Sequence, residues 1–153
     1  MKAVIQRVKN AQVSVDGKVI GAINAGLLIL LGVYETDTDE DTEILARKTA
    51  SLRIFCDNED KMNLSVCDIG GEVLVISNFT LCADTKKGNR PSFILAKEPV
   101  AANEQYEKFC KLLKDNGIKN VEKGSFGADM QVSLLNDGPV TIVLDTEIWR
   151  KKV

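Results

Sequence analysis

The sequence predicts a single α/β domain, residues 1–153, in which a mixed, largely antiparallel, barrel-like sheet packs against two main helices. Three observations predict it. A chain of 153 residues, 44% hydrophobic and 27% charged, fits one globular domain with a buried core. Short strand-like segments follow one another through turn signals. Two longer segments carry apolar residues at helical spacing.

Alternation and turn residues define the predicted strands. Asp16-Gly17 separates two alternating segments, which is a strong signal for a two-residue hairpin turn. Residues 27–33 are apolar throughout and predict a strand that is buried on both faces. Residues 72–81, after a Gly70-Gly71 turn, predict the clearest strand, and its apolar start places it centrally. The other predicted strands are residues 3–8, 13–15, 19–23, 53–56, 130–135 and 140–145.

Two helices are indicated by their capping signals. The first begins near Thr38 or Asp39, where a capping side chain is followed by acidic residues that the helix dipole favours. The second has Pro99 in its first turn and ends at Asn116-Gly117. Its apolar stripe consists of Ala102, Tyr106, Phe109, Cys110 and Leu113.

Composition excludes several classes of function. The chain has no histidine, which removes histidine-based nucleophile activation and histidine-containing zinc sites. Its four cysteines form no closely spaced pair, so we expect free thiols and no metal site. The sequence also lacks a glycine-rich phosphate loop, so we expect no nucleotide cofactor. No apolar run approaches a membrane span, and the first residues do not resemble a signal peptide. We therefore expect a cytoplasmic protein with no membrane contact.

The predicted central strand becomes polar at its end. Apolar residues give way to Ser77-Asn78-Phe79-Thr80-Leu81, which brings two hydroxyls and an amide together. Such groups are costly to bury unless they are hydrogen-bonded or meet a ligand. The segment either satisfies its own backbone at a strand end or forms the polar floor of a pocket. Without a histidine base, Thr80 is expected to position a substrate and not to act as a nucleophile.

Three further features have both a plain and a functional interpretation. Gly138-Pro139 lies between two predicted strands, where it forms either a simple hairpin turn or a cis peptide that aims two carbonyls alike. The loop with Lys86, Lys87, Arg90 and Phe93 is either plainly exposed or a contact for phosphates with a stacking ring. Cys82, beside the polar strand end, is either a buried inert thiol or a nucleophile.

Taken together, these segments resemble the D-aminoacyl-tRNA deacylase family over essentially the whole chain. The resemblance rests on a fixed order of similar segments. These are residues 1–8, 52–55, 61–65, 70–75, 83–93, 126–130 and 136–141. One departure is Asn78, where the family usually carries glutamine. The shorter amide makes a looser or water-bridged contact at this position.

The resemblance implies an ester hydrolase that acts on the 3′-terminal adenosine of tRNA carrying a D-amino acid, as a homodimer and without cofactor, metal or DNA partner. The 2′-hydroxyl of the tRNA would assist the attacking water. By resemblance, the residues fall into three groups. They are Ser77, Asn78, Phe79 and Thr80 at the catalytic centre; Gly138, Pro139, Met130, Arg7 and Phe93 in substrate binding; and Lys86, Lys87 and Arg90 against tRNA.

In this interpretation Gly138 and Pro139 reach into the pocket of the other subunit, capture the amino group and exclude an L side chain, while Arg7 braces them. Such a wall cannot reject glycine, which has no side chain, so glycyl-tRNA is also an expected substrate. Three alternatives stay open from the sequence. They are a non-catalytic RNA-binding dimer, an editing enzyme for L-alanyl or glycyl esters with a trans Gly-Pro bond, and a hydrolase with Cys82 as nucleophile.

Overall fold

The computed structural model describes residues 1–152 and is built around one long strand, β1 (Lys2–Val15). This strand pairs antiparallel with β2 (Lys18–Ile23), with β3 (Gly26–Gly32) and with the last strand, β8 (Gln131–Asp145). The predicted hairpin is confirmed: Asp16-Gly17 turns the chain with positive φ values of 49° and 77°. A turn of that hand matches the twist of the strands that it joins.

A parallel part completes the sheet. β6 (Glu72–Ser77) lies between β3 and β7 (Val121–Lys123) and runs parallel to both, which confirms its predicted internal position. β2 curls back towards β7, and the two strands come close together at Gly21. A Cβ on Gly21 would lie only 2.9 Å from the carbonyl oxygen of Lys123. The sheet is therefore nearly closed and barrel-like, as predicted. β4 (Phe55–Cys56) and β5 (Met62–Leu64) form a separate small sheet.

Both predicted helices are present, with the predicted starts. α1 (Asp39–Ser51) has Thr38 as its N-cap, and the Thr38 and Asp41 side chains close a capping box. α2 (Pro99–Asp115) begins at Pro99 and ends at Asn116. The predicted apolar stripe of α2 is buried throughout, from Ala102 to Leu113.

Two hydrophobic clusters explain why β3 is apolar at nearly every position. Leu27, Ile29 and Leu31 face the helices in the larger cluster. Leu28 and Leu30 face the inside of the barrel in the smaller one. Successive side chains of a strand point to opposite faces, so a strand that is covered on both faces has no polar positions.

Four strand predictions need correction. The strands expected at 3–8 and 13–15 are one strand, β1. The strand expected at residues 72–81 ends at Ser77, and the chain turns into a short 3-10 helix, Phe79–Cys82. The strand expected at 53–56 is confined to Phe55–Cys56. The strands expected at 130–135 and 140–145 are one strand, β8, because both halves pair with β1.

Gly138-Pro139 is therefore not a hairpin turn. On β8, Asn136 pairs with Val8 and Thr141 pairs with Gln6, so the four residues between them stand opposite Arg7 alone. The extra residues form a wide bulge, which we call the 137–140 bulge. The Gly138–Pro139 peptide bond within it is cis.

Candidate active site

A cavity of about 690 Å³ opens at the carboxyl end of β6. Its walls come from the end of β6, the segment before α2, the first turns of α2 and the loop that precedes β8. The residues that line it are Leu30, Leu31, Val33, Ile76, Ser77, Asn78, Phe79, Phe93, Ala96, Lys97, Glu98, Pro99, Ala102, Tyr106, Phe126, Gly127, Ala128, Met130 and Val132. A mostly apolar cleft with a few polar groups at one end is typical of a small-ligand site.

The polar end of the cavity is held by the parallel pairing of β3 and β6. Ser77 is the partner of Leu31 in the ladder, and the backbone N–H of Asn78 donates to the carbonyl of Leu31 at 2.8 Å. The hydroxyl of Thr80 donates to Oδ1 of Asn78 at 2.5 Å. Thr80 itself is exposed and does not line the cavity. Its side-chain contact is with Asn78.

Aromatic rings form the other walls. Phe79 and Phe93 meet edge to face with their centroids 5.1 Å apart, although Phe79 is 59% exposed. Deeper in, the Tyr106 hydroxyl donates to the carbonyl of Val75 at 2.8 Å. Burial raises the pKa of the Tyr106 phenol far above its usual value, so the group stays a neutral donor.

Two charged side chains line the cavity, and both are occupied by structural contacts. The Glu98 carboxylate caps α2, since its two oxygens accept the N–H groups of Val100 at 3.0 Å and Ala101 at 3.1 Å. These hydrogen bonds lower the pKa of Glu98, which weakens it as a base. The Lys97 ammonium donates to the carbonyl of Asp37 at 2.7 Å.

The 137–140 bulge lies elsewhere in the same chain. Arg7 holds it, because Nε of Arg7 donates to the carbonyl of Asp137 at 3.0 Å while Nη1 donates to that of Ile54 at 2.8 Å. Arg7 pairs with Leu27, whereas Ser77 pairs with Leu31, four residues further along β3. At roughly 3.3 Å per residue the two levels are about 13 Å apart along the strand. Gly138 and Pro139 are exposed and do not line the cavity.

The predicted basic residues lie on a loop beside the cavity. Lys86, Lys87 and Arg90 are exposed, and a bridge between Asp84 and Ser92 closes the loop that carries them. The chain runs from this loop directly into Phe93 at the cavity wall. The structure therefore places these cations beside the cavity but not within it.

The thiol of Cys82 is buried, with 0% of the residue exposed, and Sγ donates to the carbonyl of Val33 at 3.4 Å. Burial raises the pKa of this thiol to about 11. Because the reactive form of cysteine is the thiolate, Cys82 is poorly suited to act as a nucleophile.

Within residues 1–152 no cluster of three or more histidine, cysteine or carboxylate side chains is arranged to hold a metal ion. Nor does any helix of that range meet the length and hydropathy of a membrane span.

Several cavity residues were not singled out by the sequence. Ala102 and Tyr106 belong to the apolar stripe of α2 and were assigned to the core. Nothing in the sequence distinguishes Lys97 and Glu98 from other charged residues. Phe126 belongs to a segment similar to the deacylase family, residues 126–130, but no role is predicted for it. Which residues of α2 face the cavity and which face the core depends on how α2 packs against the sheet, and only the fold contains that information.

Comparisons with known proteins show which family the chain resembles. A model of the family described as D-Tyr-tRNA(Tyr) deacylase matches residues 4–145. The D-aminoacyl-tRNA deacylase of Anaeromyxobacter dehalogenans (strain 2CP-C) is 56% identical over 146 residues, which cover 95% of this chain and 97% of that protein.

Two solved structures share the fold. One, described as a c-Myc DNA Unwinding Element Binding Protein, superposes with a TM-score of 0.90 at 43% identity, and the match covers 95% of this chain and 98% of the other. The other, a probable eukaryotic D-amino acid tRNA deacylase, has a TM-score of 0.80 at 15% identity over 94% of this chain and 97% of the other, which supports the fold alone. The chain belongs to the D-Tyr-tRNA(Tyr) deacylase family and is a hydrolase that deacylates D-aminoacyl-tRNA.

Proposed function

We propose that this deacylase is a cytoplasmic homodimer that hydrolyses the ester between a D-amino acid or glycine and the 3′-terminal adenosine of tRNA, and that it spares L-aminoacyl-tRNA. The observation that carries the proposal is the separation between the cavity and the 137–140 bulge. The cavity opens to the surface and the 137–140 bulge is exposed, but the bulge does not contact the cavity of its own chain.

The cavity suits a reaction in which the substrate supplies part of the chemistry. The chain contains no histidine. Among the described residues that line the cavity, Glu98 is the only carboxylate, and both its oxygens cap α2. A general base must lie within hydrogen-bond reach of the proton that it removes, and Glu98 is already engaged. The 2′-hydroxyl of the terminal adenosine therefore assists the attacking water, while Ser77, Asn78 and the Phe79–Thr80 turn hold the ester.

The dimer follows from the exposed face of β8. This strand is 15 residues long, pairs with β1 and exposes Leu135 at 52% and Val143 at 59%. A long strand with an unpaired backbone edge and exposed apolar side chains is a ready template for pairing with another chain. A two-fold dimer is the commonest closed assembly. In a dimer, Gly138 and Pro139 of one subunit reach the cavity of the other.

The enzyme then selects D-aminoacyl esters because the bulge rejects L-aminoacyl esters. The bulge presents backbone to the α-carbon of the substrate, with Met130 and Phe93 on the cavity side, so that an L side chain collides and a D side chain does not. Discrimination of this type works through a repulsive element and not through added affinity. Glycine has no side chain that could collide with the bulge. The missing methyl group weakens binding of the aminoacyl group by only about 1–3 kcal/mol, so glycyl-tRNA is hydrolysed as well.

The basic loop provides contacts that are independent of sequence. Lys86, Lys87 and Arg90 are exposed next to the cavity wall. Side chains of this type bind phosphate oxygens and fix the register of a nucleic acid without reading its bases. They hold the acceptor end of tRNA while its terminal ester enters the cavity.

Initial rates on D-tyrosyl-, L-tyrosyl- and glycyl-tRNA, each with a ribose or a 2′-deoxyribose at the terminal adenosine, test the proposal. We expect turnover of the D and glycyl ribose substrates, little of the L substrate, and almost none of any deoxy substrate. A preference for L esters would indicate an editing enzyme of the other chirality. Binding of tRNA without hydrolysis would indicate an RNA-binding protein, and rapid cleavage of the deoxy substrates would exclude assistance by the 2′-hydroxyl.

A further inference from the structure

A glycine outside the sites described above lies directly behind the cavity wall. Gly124 follows β7, and its backbone N–H donates to the carbonyl of Val75 at 3.1 Å. The Tyr106 hydroxyl donates to the same carbonyl. Gly124 is thus fixed against β6 at the level where the cavity begins.

The space beside Gly124 is filled by a residue of the cavity wall. A Cβ built on Gly124 would lie 2.6 Å from Sδ of Met130 and 3.2 Å from Cδ1 of Ile76. Both of those residues line the cavity. The Met130 thioether therefore lies in a position that exists only because residue 124 has no side chain.

Glycine is not needed there for the backbone. The φ angle of Gly124 lies outside the left-handed region, unlike those of Gly127 and Gly138, at +78° and +126°. An alanine could adopt this conformation without strain. What the glycine provides at this position is volume.

We propose that Gly124 is a specificity-determining residue of the deacylase: its missing side chain lets Met130 lie back against the wall and so sets the width of the cavity for the acylated end of tRNA. The inference rests on the proposed function in one respect, that this cavity holds that end. Met130 is unbranched and flexible, so a methyl group at position 124 displaces its sulfur instead of disrupting the fold. The free space into which the sulfur can move is the cavity.

The inference predicts that Gly124→Ala impairs substrate binding more than stability. Overpacking of this size corresponds to about a five- to hundredfold loss in kcat/KM, which should appear as a raised KM for D-tyrosyl-tRNA with kcat little changed. A merely structural role would lower the melting temperature and leave the KM of the folded fraction unchanged.

Gly71→Ala is the matched control. Gly71 also lies outside the left-handed region, and its Cβ would lie 3.0 Å from Cγ2 of Val66 and 3.1 Å from Cδ1 of Ile69, neither of which lines the cavity. Because Val66 is buried in the core, this variant should lose stability but keep the KM of the wild type. Met130→Ala and the double variant Gly124→Ala/Met130→Ala complete the set.

The decisive result is the double variant. With the Met130 side chain shortened, the methyl group at position 124 no longer displaces its sulfur and meets only Cδ1 of Ile76, at 3.2 Å. The KM of the double variant should therefore be close to that of Met130→Ala alone. An unchanged KM in Gly124→Ala, or a double variant in which the two effects simply add, would overturn the inference. If Ser77→Ala impairs turnover in the same series, the proposed site stands and the role of Gly124 alone is wrong. If Ser77→Ala is also without effect, both are wrong.

Discussion

The hydroxyl of Thr80 donates its proton to Oδ1 of Asn78, at 2.5 Å between the two oxygens. A serine or threonine nucleophile gives that proton to a base, but here the acceptor is an amide oxygen, which is not basic. The contact orients the side-chain amide of Asn78. In the function proposed above, Thr80 is therefore a positioning residue.

Replacing Thr80 with alanine should therefore leave substantial activity. A neutral hydrogen bond of this type contributes about 1 kcal/mol, which corresponds to a loss in kcat/KM of about fivefold. Thr80→Ser, which keeps the hydroxyl, should lose less. Single-turnover rates on D-tyrosyl-tRNA provide the measurement. If Thr80→Ala binds substrate normally but does not turn it over, Thr80 is a nucleophile after all.

Arg7 is expected to control chirality without touching substrate in its own subunit. It donates to the carbonyls of Asp137 and Ile54, so Arg7→Leu should release the 137–140 bulge. The ratio of D- to L-tyrosyl-tRNA hydrolysis should then fall, because exclusion of the L side chain needs a rigid wall. Arg53→Leu is a suitable control, since Arg53 donates in the same way to the backbone carbonyl and the side chain of Asn63 on β5. A ratio that stays the same in Arg7→Leu would remove the bulge from chiral selection.

The oligomeric state can be tested through Leu135, which is 52% exposed on β8. The wild type should sediment at about twice 16.8 kDa. Leu135→Asp places a charge in the apolar edge, so it should shift the protein towards monomer and reduce activity with it. Ile69→Asp, at a turn residue that is 37% exposed, should do neither. A monomer with full activity would contradict the proposed cross-subunit site.

Cys82 should be dispensable for catalysis. Its thiol is buried, and burial raises its pKa to about 11, so almost no thiolate exists at neutral pH. Cys82→Ala should retain activity, and iodoacetamide should modify the exposed Cys56 in preference to Cys82 in the native protein. Loss of turnover in a folded Cys82→Ala variant would revive the thiol-nucleophile alternative.

Stability should depend on pH through Asp41. Burial opposes its ionisation, but hydrogen bonds from Arg150 and Thr38 outweigh this and lower its pKa to about 2. A carboxylate with a depressed pKa stabilises the fold above the pKa that it has in the unfolded chain, and this contribution is lost as the pH falls towards the folded value. The difference in unfolding free energy between wild type and Asp41→Asn should fall by about 1 kcal/mol from pH 6 to pH 3.

Chemical denaturation at the two pH values measures this difference. Arg150→Leu should weaken the same pH dependence, since Arg150 contacts both oxygens of Asp41 at 3.0 Å while the hydrogen bonds from Thr38 remain. An unaltered difference between pH 6 and pH 3 would show that Asp41 is not held in this way.

Local features were predicted correctly wherever a few neighbouring residues decide the conformation. Asp16-Gly17 turns the first hairpin, Thr38 caps α1, and Pro99 begins α2. Each of these signals acts through a side chain or a φ angle within about four residues, so the sequence contains it in full. The burial of β3 on both faces was predictable for the same reason, because its side chains are apolar at every position.

The extents of β6 and β8 could not be predicted in this way. Residues 72–81 become polar at Ser77, but polar residues alone do not end a strand. β6 ends there, at the level where its parallel partner β3 ends. Likewise the two halves of β8 look like separate strands around a Gly-Pro turn, and only pairing of both with β1 makes them one. Pairing partners lie far apart along the chain, and a local pattern does not encode them.

The sequence by itself determined the family, the fold class, the absence of histidine chemistry and the set of residues to examine. Only the tertiary structure decided which of those residues share a cavity. It places Ser77, Asn78, Phe79, Phe93 and Met130 around one space and leaves Gly138 and Pro139 outside it. The physical reason is that a cavity forms where packing stops, at the edge of β6 and α2 where no further element covers the apolar surface. That boundary depends on the relative positions of whole elements and on no single segment.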